Sequence, residues 1–244
     1  MPYALGIIGY AGRMGQAIGR LALEDMHWSL SGGVVRKNVA PPIPGVLITT
    51  NPDELFPVCD VVVDVSSPQA TAGNAAAAVR YGKAFVCGTT GLDEAARTAL
   101  AEAAARVPVL YASNTSLSLA VVKKLAHEAA RLLAPHDYDV TILGRHHRWK
   151  KDRPSGTAKT LGEAVVAGNG GVHAPQFADL HAGSVVGEHE VAFVGAHEVI
   201  TIAHSVTDRD VFARGALTAA LWLADHPTPG RLYGMDDVLG LQGV

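Results

Sequence analysis

The first half of the chain alternates short apolar runs with helical patterns. The runs are rich in Val and Ile and lie at 4–9, 30–35, 61–65, 84–87 and 109–111. Continuous runs of this kind are typical of parallel strands covered on both faces. Helical patterns fill the intervals at 13–24, 68–81 and 93–106. The alternation predicts an α/β fold with a doubly wound parallel sheet.

The pattern changes after residue 115. It predicts a long amphipathic helix at 116–133, a strand at 139–143 and a second helix from about Ser155. A polar, basic stretch lies at 146–153, and 168–183 has the glycine content of a loop. Alternating runs at 185–194 and 199–206 predict an antiparallel hairpin, and a last helix is expected at 211–224. We expect a mixed α+β domain here.

Composition excludes several classes of protein. The 244 residues are 48% hydrophobic with a formal net charge of −3, which is typical of a folded chain and gives no basic excess for nucleic acid. Cys59 and Cys87 lie in apolar runs, which disfavours a disulfide scaffold or a cysteine zinc site. No apolar stretch reaches the roughly 18 residues of a membrane span, and the N-terminus lacks the basic region of a signal peptide. A cytoplasmic protein is expected.

A glycine motif follows the first strand directly and opens the first helix. Its spacing, Gly-x-x-Gly-x-x-Gly at 9–15, lets the backbone turn tightly and approach a pyrophosphate at the helix N-terminus. A purely structural turn would also use glycine, but the position favours a Rossmann-like dinucleotide site. The candidate cofactor-binding residues are Gly9, Tyr10, Ala11, Gly12, Arg13 and Met14.

Two further segments bear on the cofactor. The second strand ends in Arg36 and Lys37, with no acid for a ribose 2′-hydroxyl, which favours NADPH over NADH modestly. The alternative is a pair of solvated loop charges. Gly88, Thr89 and Thr90 follow another strand and suit a contact with the nicotinamide ribose, a helix cap, or both.

The most informative stretch concentrates basic residues at 146–153 and leads into Ser-Gly-Thr at a helix start. Histidines are good proton donors near neutral pH, and a helix N-terminus binds carboxylate or phosphate. A solvated charge run is the usual explanation of such clusters. Here the pattern predicts a site for a compact polyanion with an acid nearby.

The residues 146–158, His-His-Arg-Trp-Lys-Lys-Asp-Arg-Pro-Ser-Gly-Thr-Ala, resemble the signature of the 4-hydroxy-tetrahydrodipicolinate reductase family, also called dihydrodipicolinate reductases. The resemblance continues, in order, at 9–15, 88–91, 112–116, 186–189, 209–216 and 221–223, and so spans nearly the whole chain. It implies an enzyme that reduces a cyclic dicarboxylate of lysine and diaminopimelate biosynthesis to tetrahydrodipicolinate with NADPH or NADH.

The resemblance also implies roles for particular residues. His146 would be the proton donor and Lys150 would assist at the substrate. Further substrate contacts would come from His147, Lys150, Ser155, Gly156 and Thr157. Further cofactor contacts would come from Ala112, Ser113, Asn114 and Thr115. Sequence reasoning leaves open whether Lys150 or Lys151 faces the substrate, and it gives no role to the other nine of the eleven histidines.

The chain departs from the family pattern at two positions near these residues. The family commonly has Glu two residues before the His pair, where this chain has Gly144. A Phe common after an Ala-Asn pair is replaced by Thr115. We expect the lost carboxylate to alter how the histidine is oriented or how its pKa is set. We expect Thr115 to alter the stacking near the nicotinamide.

Two rival functions fit part of the sequence. Another NAD(P)-dependent amino-acid dehydrogenase, similar to aspartate dehydrogenase, would explain the glycine motif but not the whole basic signature. A non-catalytic NADPH-sensing module would keep the cofactor site alone. A metal site is not expected, because the histidines form no His-x-x-x-His or His-Glu-x-x-His helix.

These observations give an expected domain organisation. Residues 1–113 and 216–244 would form the dinucleotide-binding domain, and 114–215 the substrate-binding and oligomerisation domain. The alternating strands of the second domain leave an apolar face to cover, which indicates a homo-oligomer. The family resemblance implies a homotetramer.

Overall fold

The computed structural model describes residues 1–37, 44–226 and 228–241. The chain forms two compact units. Unit 1 comprises Met1–Ser116 and Asp210–Val244, and unit 2 comprises Leu117–Arg209. These bounds lie a few residues from the expected ones. Within the described residues, no helix has the length and apolarity needed to cross a membrane.

The strands, in chain order, are β1 (Tyr3–Ile8), β2 (Trp28–Val34), β3 (Leu47–Thr49), β4 (Val61–Asp64), β5 (Ala84–Cys87), β6 (Val109–Tyr111), β7 (Asp139–His146), β8 (Gln176–His181), β9 (Gly187–Val194), β10 (Val199–Val206) and β11 (Leu232–Tyr233). The helices are α1 (Arg13–Leu23), α2 (Pro52–Leu55), α3 (Pro68–Tyr81), α4 (Glu94–Ala104), α5 (Leu117–Leu133), α6 (Gly156–Gly168), α7 (Asp210–Asp225) and α8 (Met235–Val238). A short 3₁₀ turn covers Phe56–Val58.

Unit 1 is built on a parallel sheet in the order β11-β6-β5-β4-β1-β2-β3. The order reverses at β1, which pairs with β4 on one side and β2 on the other. Ligands of such sheets bind at the carboxyl ends of the strands beside this reversal. The Rossmann-like sheet predicted from the sequence is confirmed.

The helices of unit 1 begin and end at residues whose local chemistry favours the boundary. Pro68 opens α3, and Gly82 ends it with a positive φ of 63°. Asp93 caps α4 by accepting from Ala96 N. The core between these helices and the sheet is apolar, with Phe56, Phe85 and Leu100 fully buried. Burial of each such side chain stabilises the folded chain by about 1.5–3 kcal/mol.

Unit 2 contains a mixed sheet in the order β10-β9-β7-β8, in which β7 and β8 are parallel and the other pairs antiparallel. Within the unit, α5 and α6 cover one face of this sheet. Val140 and Ile142 of β7 pack with Leu161 and Val165 of α6 in that core. Gly144 and His146 follow on the same face, because side chains alternate along a strand.

The expected loop at 168–183 is wrong in its second half, where β8 lies. This strand is at the sheet edge and mostly exposed, so its residues lack the apolar alternation that would reveal a strand. The strand predicted at 139–143 also extends to His146. His146 is therefore held on a strand, and pairs with His181 of β8 rather than lying in a polar loop.

Candidate active site

The glycine motif forms the tight connection between β1 and α1. Gly9 has a φ of 86°, and a Cβ there would lie 2.8 Å from the carbonyl oxygen of Val65, which follows β4. A Cβ on Gly15 would lie 2.3 Å from the Gly9 carbonyl oxygen. Both glycines are therefore required by close backbone approach at the point where the strand order reverses.

Tyr10 is partly buried and packs against Gly19 of α1 and Gly33 of β2. A Cβ on Gly19 would lie 2.7 Å from Tyr10 Cε2, and one on Gly33 would lie 2.6 Å from Tyr10 Cβ. The backbone N–H groups of Gly9 and Tyr10 both donate to the carbonyl of Val34, at 3.0 and 3.1 Å. The loop is thereby fixed to the end of β2, two residues before Arg36.

The start of α1 suits an anion. Gly12 is the N-cap and provides no side-chain hydrogen bond, and the first turn carries no acid. Ala11, Gly12 and Arg13 are exposed, and Met14 is partly buried. Arg36 and Lys37 are exposed just after β2. These residues fit a dinucleotide pyrophosphate at the helix N-terminus, with cations at the end of β2.

A buried carboxylate that the sequence did not reveal orders the neighbouring loops. Asp64, at the end of β4, is fully buried and accepts from Ser66 Oγ at 2.5 Å and Asn74 Nδ2 at 2.9 Å. Burial raises its pKa, although the hydrogen bonds from Ser66 and Asn74 oppose the rise. Gly88 N donates to the Asp64 carbonyl at 2.8 Å. Thr89 is buried here, whereas Thr90 is exposed.

The segment after β6 has mixed exposure. Ala112 is buried and donates its N–H to the Cys87 carbonyl, while Ser113 is exposed and Asn114 is partly buried. Thr115 is buried, and its hydroxyl donates to the carbonyl of Phe212 in α7 at 2.6 Å. Its side chain is therefore directed to α7, so it offers no ring-like stacking surface.

The described part of unit 2 contains a row of four histidines, one on each strand of its sheet. The row includes His146, which the sequence singled out, and three histidines to which it gave no role: His181, His189 and His204. Ring centroids are 5.9 Å apart between His181 and His146, 5.0 Å between His146 and His189, and 6.5 Å between His189 and His204. Strand register brings them together, since His181 pairs with His146 and His204 with His189.

His146 is buried, with 6% of its surface exposed. Burial lowers its pKa, as do the charges of Lys150 and His181, whereas Asp179 and Asp152 act in the opposite direction. A lowered pKa makes the imidazolium a stronger acid. The ring is therefore suited to donating a proton to a substrate that holds it in the charged form.

The residues after β7 form a site with cationic and helix N-terminal donors. Lys150 Nζ contacts both carboxylate oxygens of Asp152, at 2.8 and 2.9 Å. Hydrogen bonds from Lys150 and from the backbone of Gly156 lower the pKa of Asp152. Thus a carboxylate is already bound by the ammonium and the start of α6. Lys151 is exposed, and Lys150 is the lysine directed to this position.

The other predicted substrate residues flank this start of α6. Ser155 is buried and caps the helix by accepting from Ala158 N at 3.0 Å, so its hydroxyl proton is available to His189 Nε2, 3.1 Å away. Burial lowers the pKa of His189 to about 3. Gly156 is exposed and Thr157 partly buried, while the Nδ1 atom of His147 is buried.

One group in unit 2 has the composition of a metal site. Ligand atoms of His146, Asp179 and His181 lie within 4.8 Å of one another. Cations stand beside them, since Arg153 Nε contacts His181 Nδ1 at 3.3 Å and the charge of Lys150 acts on His146. These cations oppose a metal ion, so the absence of a metal stays a prediction. A helical His motif in the sequence does not indicate this group, because its residues lie on two strands, β7 and β8.

Comparisons with known proteins identify the family of the chain. Residues 3–115 match the family model "Dihydrodipicolinate reductase, N-terminus", and residues 118–239 match "Dihydrodipicolinate reductase, C-terminus". The chain is 44% identical over 240 residues to 4-hydroxy-tetrahydrodipicolinate reductase of Xanthomonas campestris pv. campestris (strain B100), covering 98% of each chain. It is 42% identical over 250 residues to the reductase of that name from Gluconobacter oxydans (strain 621H), covering 96% of each.

Solved structures agree on the fold. Dipicolinate-bound dihydrodipicolinate reductase from Paenisporosarcina sp. TG-14 superposes with a TM-score of 0.82 at 19% identity, covering 97% of this chain and 99% of that one. Aspartate dehydrogenase from Thermotoga maritima gives a TM-score of 0.54 at 13% identity, covering 90% and 95%. The family resemblance in the sequence is confirmed: this chain belongs to the dihydrodipicolinate reductase family.

Proposed function

We propose that this chain reduces 4-hydroxy-tetrahydrodipicolinate to tetrahydrodipicolinate with NAD(P)H, and that His146 donates the proton. The observation that carries the proposal is the carboxylate site after β7. There the Lys150 ammonium and the N-terminus of α6 hold the carboxylate of the protein's own Asp152, close to His146, whose pKa is lowered by burial. A cyclic dicarboxylate needs this combination of anion binding and general acid.

Unit 1 would hold the dinucleotide. The backbone at Gly9–Met14 and the uncapped start of α1 would bind the pyrophosphate, with Gly88–Thr90 and Ala112–Thr115 nearer the nicotinamide. Arg36 would contact a 2′-phosphate, which makes NADPH the preferred cofactor over NADH. The bound cofactor supplies a hydride from C4 of its nicotinamide.

Unit 2 would bind the substrate and handle the proton. Lys150, Gly156 and Thr157 would hold one carboxylate, and His147 would contribute to binding. Ser155 supports this site by capping α6. After loss of water from the 4-hydroxy compound, hydride addition to the conjugated imine builds negative charge at its far end. The imidazolium of His146 donates a proton there, which leaves tetrahydrodipicolinate and a neutral ring.

The substrate itself favours this protonation state. An opposite charge within a few ångströms stabilises the charged form of a histidine. Binding of a dicarboxylate therefore raises the pKa of His146 against the effect of burial. When His146 gives its proton to the substrate, the buried ring loses its positive charge.

The test is NAD(P)H oxidation by the purified chain in the presence of freshly made dihydrodipicolinate synthase product. Oxidation that depends on this product is expected. Oxidation with oxaloacetate and ammonia instead would favour an amino-acid dehydrogenase. NADPH binding without oxidation of any of these substrates would favour a sensing module.

The same proposal includes a homotetramer in the cytoplasm. Within unit 2 the helices cover one face of the sheet, and the other face and its edges expose Leu180 and Val199, each more than half exposed. Pairing with further copies would cover these side chains. Light scattering coupled to size-exclusion chromatography tests this, and a monomer at micromolar concentration would contradict it.

A further inference from the structure

Gly144 leaves a gap beside His146 that a carboxylate from the neighbouring strand fills. Gly144 of β7 pairs with Asp179 of β8 in the parallel register. A Cβ on Gly144 would lie 2.8 Å from Asp179 Oδ1 and 3.7 Å from His146 Nδ1. The two atoms therefore border the same small space, which any side chain at position 144 would occupy.

Both atoms are buried, and among the described residues neither has a hydrogen-bond partner. Polar atoms buried in a protein are normally satisfied. Ligand atoms of the two residues also lie within 4.8 Å of each other. An Nδ1–H of His146 that donates to this carboxylate would satisfy both atoms.

Each of the other three histidines of the row has a hydrogen-bond partner other than Asp179 at one ring nitrogen. The Nε2 atom of His189 accepts a hydrogen bond from the Ser155 hydroxyl, and His204 Nε2 lies 3.1 Å from Ser118 Oγ. His181 directs Nδ1 to the Lys150 carbonyl at 3.0 Å. The charged and titratable groups that act on His146 come from the segment after β7, from β8 and from β9: Lys150, Asp152, Asp179, His181 and His189.

We propose that Asp179 is a positioning residue for His146: its carboxylate holds the proton on Nδ1 and leaves Nε2–H as the proton given to the substrate. Nε2 lies on the opposite side of the ring, where a Cβ on Gly187 would be 3.8 Å away. When Nε2–H is transferred, the ring becomes neutral and keeps Nδ1–H toward Asp179. A carboxylate that orients a histidine in this way selects its tautomer and stabilises its charged form.

The expected change in kcat rests on the proposed function, whereas the expected NMR result does not. In Asp179→Asn we expect kcat to fall about 10- to 100-fold, with the dissociation constant of dipicolinate changing less than threefold. Nitrogen NMR of the histidines should show the Nδ1–H tautomer of His146 in the unaltered protein. It should also show a lower pKa for His146 in Asp179→Asn than in the unaltered protein, because the negative charge that stabilises the imidazolium is lost.

Two variants make the test specific. Glu163→Gln removes an exposed carboxylate from α6 and should leave kcat unchanged. The double variant Gly144→Asp with Asp179→Ala places a carboxylate on the other strand within reach of the same gap. Its kcat should be at least tenfold higher than that of Asp179→Ala alone.

Several results would overturn the inference. These are an unchanged tautomer and pKa of His146 in Asp179→Asn, a loss confined to KM, or a double variant that folds but is no more active than Asp179→Ala. If the unaltered protein shows no product-dependent NAD(P)H oxidation, the proposed function fails, while the NMR result still decides the role of Asp179.

Discussion

The glycine loop of unit 1 and the histidine row of unit 2 are two candidate sites made in different ways. The glycine loop presents backbone N–H groups at the start of α1, and its shape depends on the absence of Cβ atoms at Gly9 and Gly15. The histidine row presents side chains that strand register brings side by side. The first site is therefore sensitive to steric change, and the second to protonation.

This difference fits the two tasks. A pyrophosphate keeps its charge near neutral pH, so a site of fixed backbone dipoles is sufficient for it. A reduction that consumes a proton needs a group that changes charge during the reaction. The group proposed for this role in unit 2, His146, is buried, and burial lowers its pKa.

A methyl group in the glycine loop should give the largest effect of the three changes that probe this contrast. In Gly15→Ala the new Cβ would meet backbone atoms of Gly9 and Tyr10, which cannot rotate away. We expect NADPH affinity to fall about tenfold or more and the free energy of unfolding to decrease by roughly 1–3 kcal/mol. Calorimetric titration and urea denaturation measure both quantities.

Gly73→Ala is the matched control, because a Cβ on this glycine of α3 meets no atom within 4 Å. It should leave affinity intact and leave stability unchanged or slightly higher. Normal NADPH affinity in Gly15→Ala would contradict the idea of a site shaped by the backbone.

The histidine row should make stability depend on pH. Burial holds the pKa of His189 at about 3, below its usual 6.5, so between these values the unfolded chain binds a proton that the folded chain does not. Stability is therefore lost as pH falls from 6.5 toward 3. Between pH 7 and 5, His189→Gln should reduce this loss by up to about 2 kcal/mol in urea denaturation.

His197→Gln provides the comparison, since His197 is an exposed histidine between β9 and β10. Its pH dependence of stability should match that of the unaltered protein. If His189→Gln follows the same pH dependence as well, the buried, neutral state of His189 is refuted.

The smallest effect concerns the exposed cation at the end of β2. Arg36→Ala should raise the KM for NADPH roughly fivefold, about 1 kcal/mol, and the KM for NADH much less. Steady-state kinetics with both cofactors measures the ratio, with the exposed Arg106→Ala as control. Equal changes in the two KM values would remove Arg36 from the 2′-phosphate site.

The sequence revealed the two sites unequally. The spacing of Gly9, Gly12 and Gly15 reports directly on the backbone, so local pattern was enough to predict the loop and the parallel sheet. Asp179 and His181 lie on an exposed edge strand without apolar alternation, and their position beside His146 depends on the register between β7 and β8. Local pattern carries no information on such a register, which is why the loop predicted there was wrong and the histidine row was missed.

Buried polar residues were equally hard to predict. The expected change at Thr115 concerned stacking on the cofactor, whereas the structure directs its hydroxyl to the carbonyl of Phe212, which is distant in the sequence. Asp64 ends an apolar run and shows its network only once Ser66 and Asn74 are folded against it. Both depend on long-range packing rather than on neighbouring residues.

The most direct test of His146 as the proton donor is a comparison of kcat with binding in His146→Gln. Turnover of NADPH with synthase product gives kcat, and calorimetric titration of dipicolinate gives the binding of the dicarboxylate. We predict that kcat falls about 10²–10⁴-fold while the dissociation constant of dipicolinate changes less than threefold. An unchanged kcat with a raised KM would contradict this role and make His146 a substrate-binding residue.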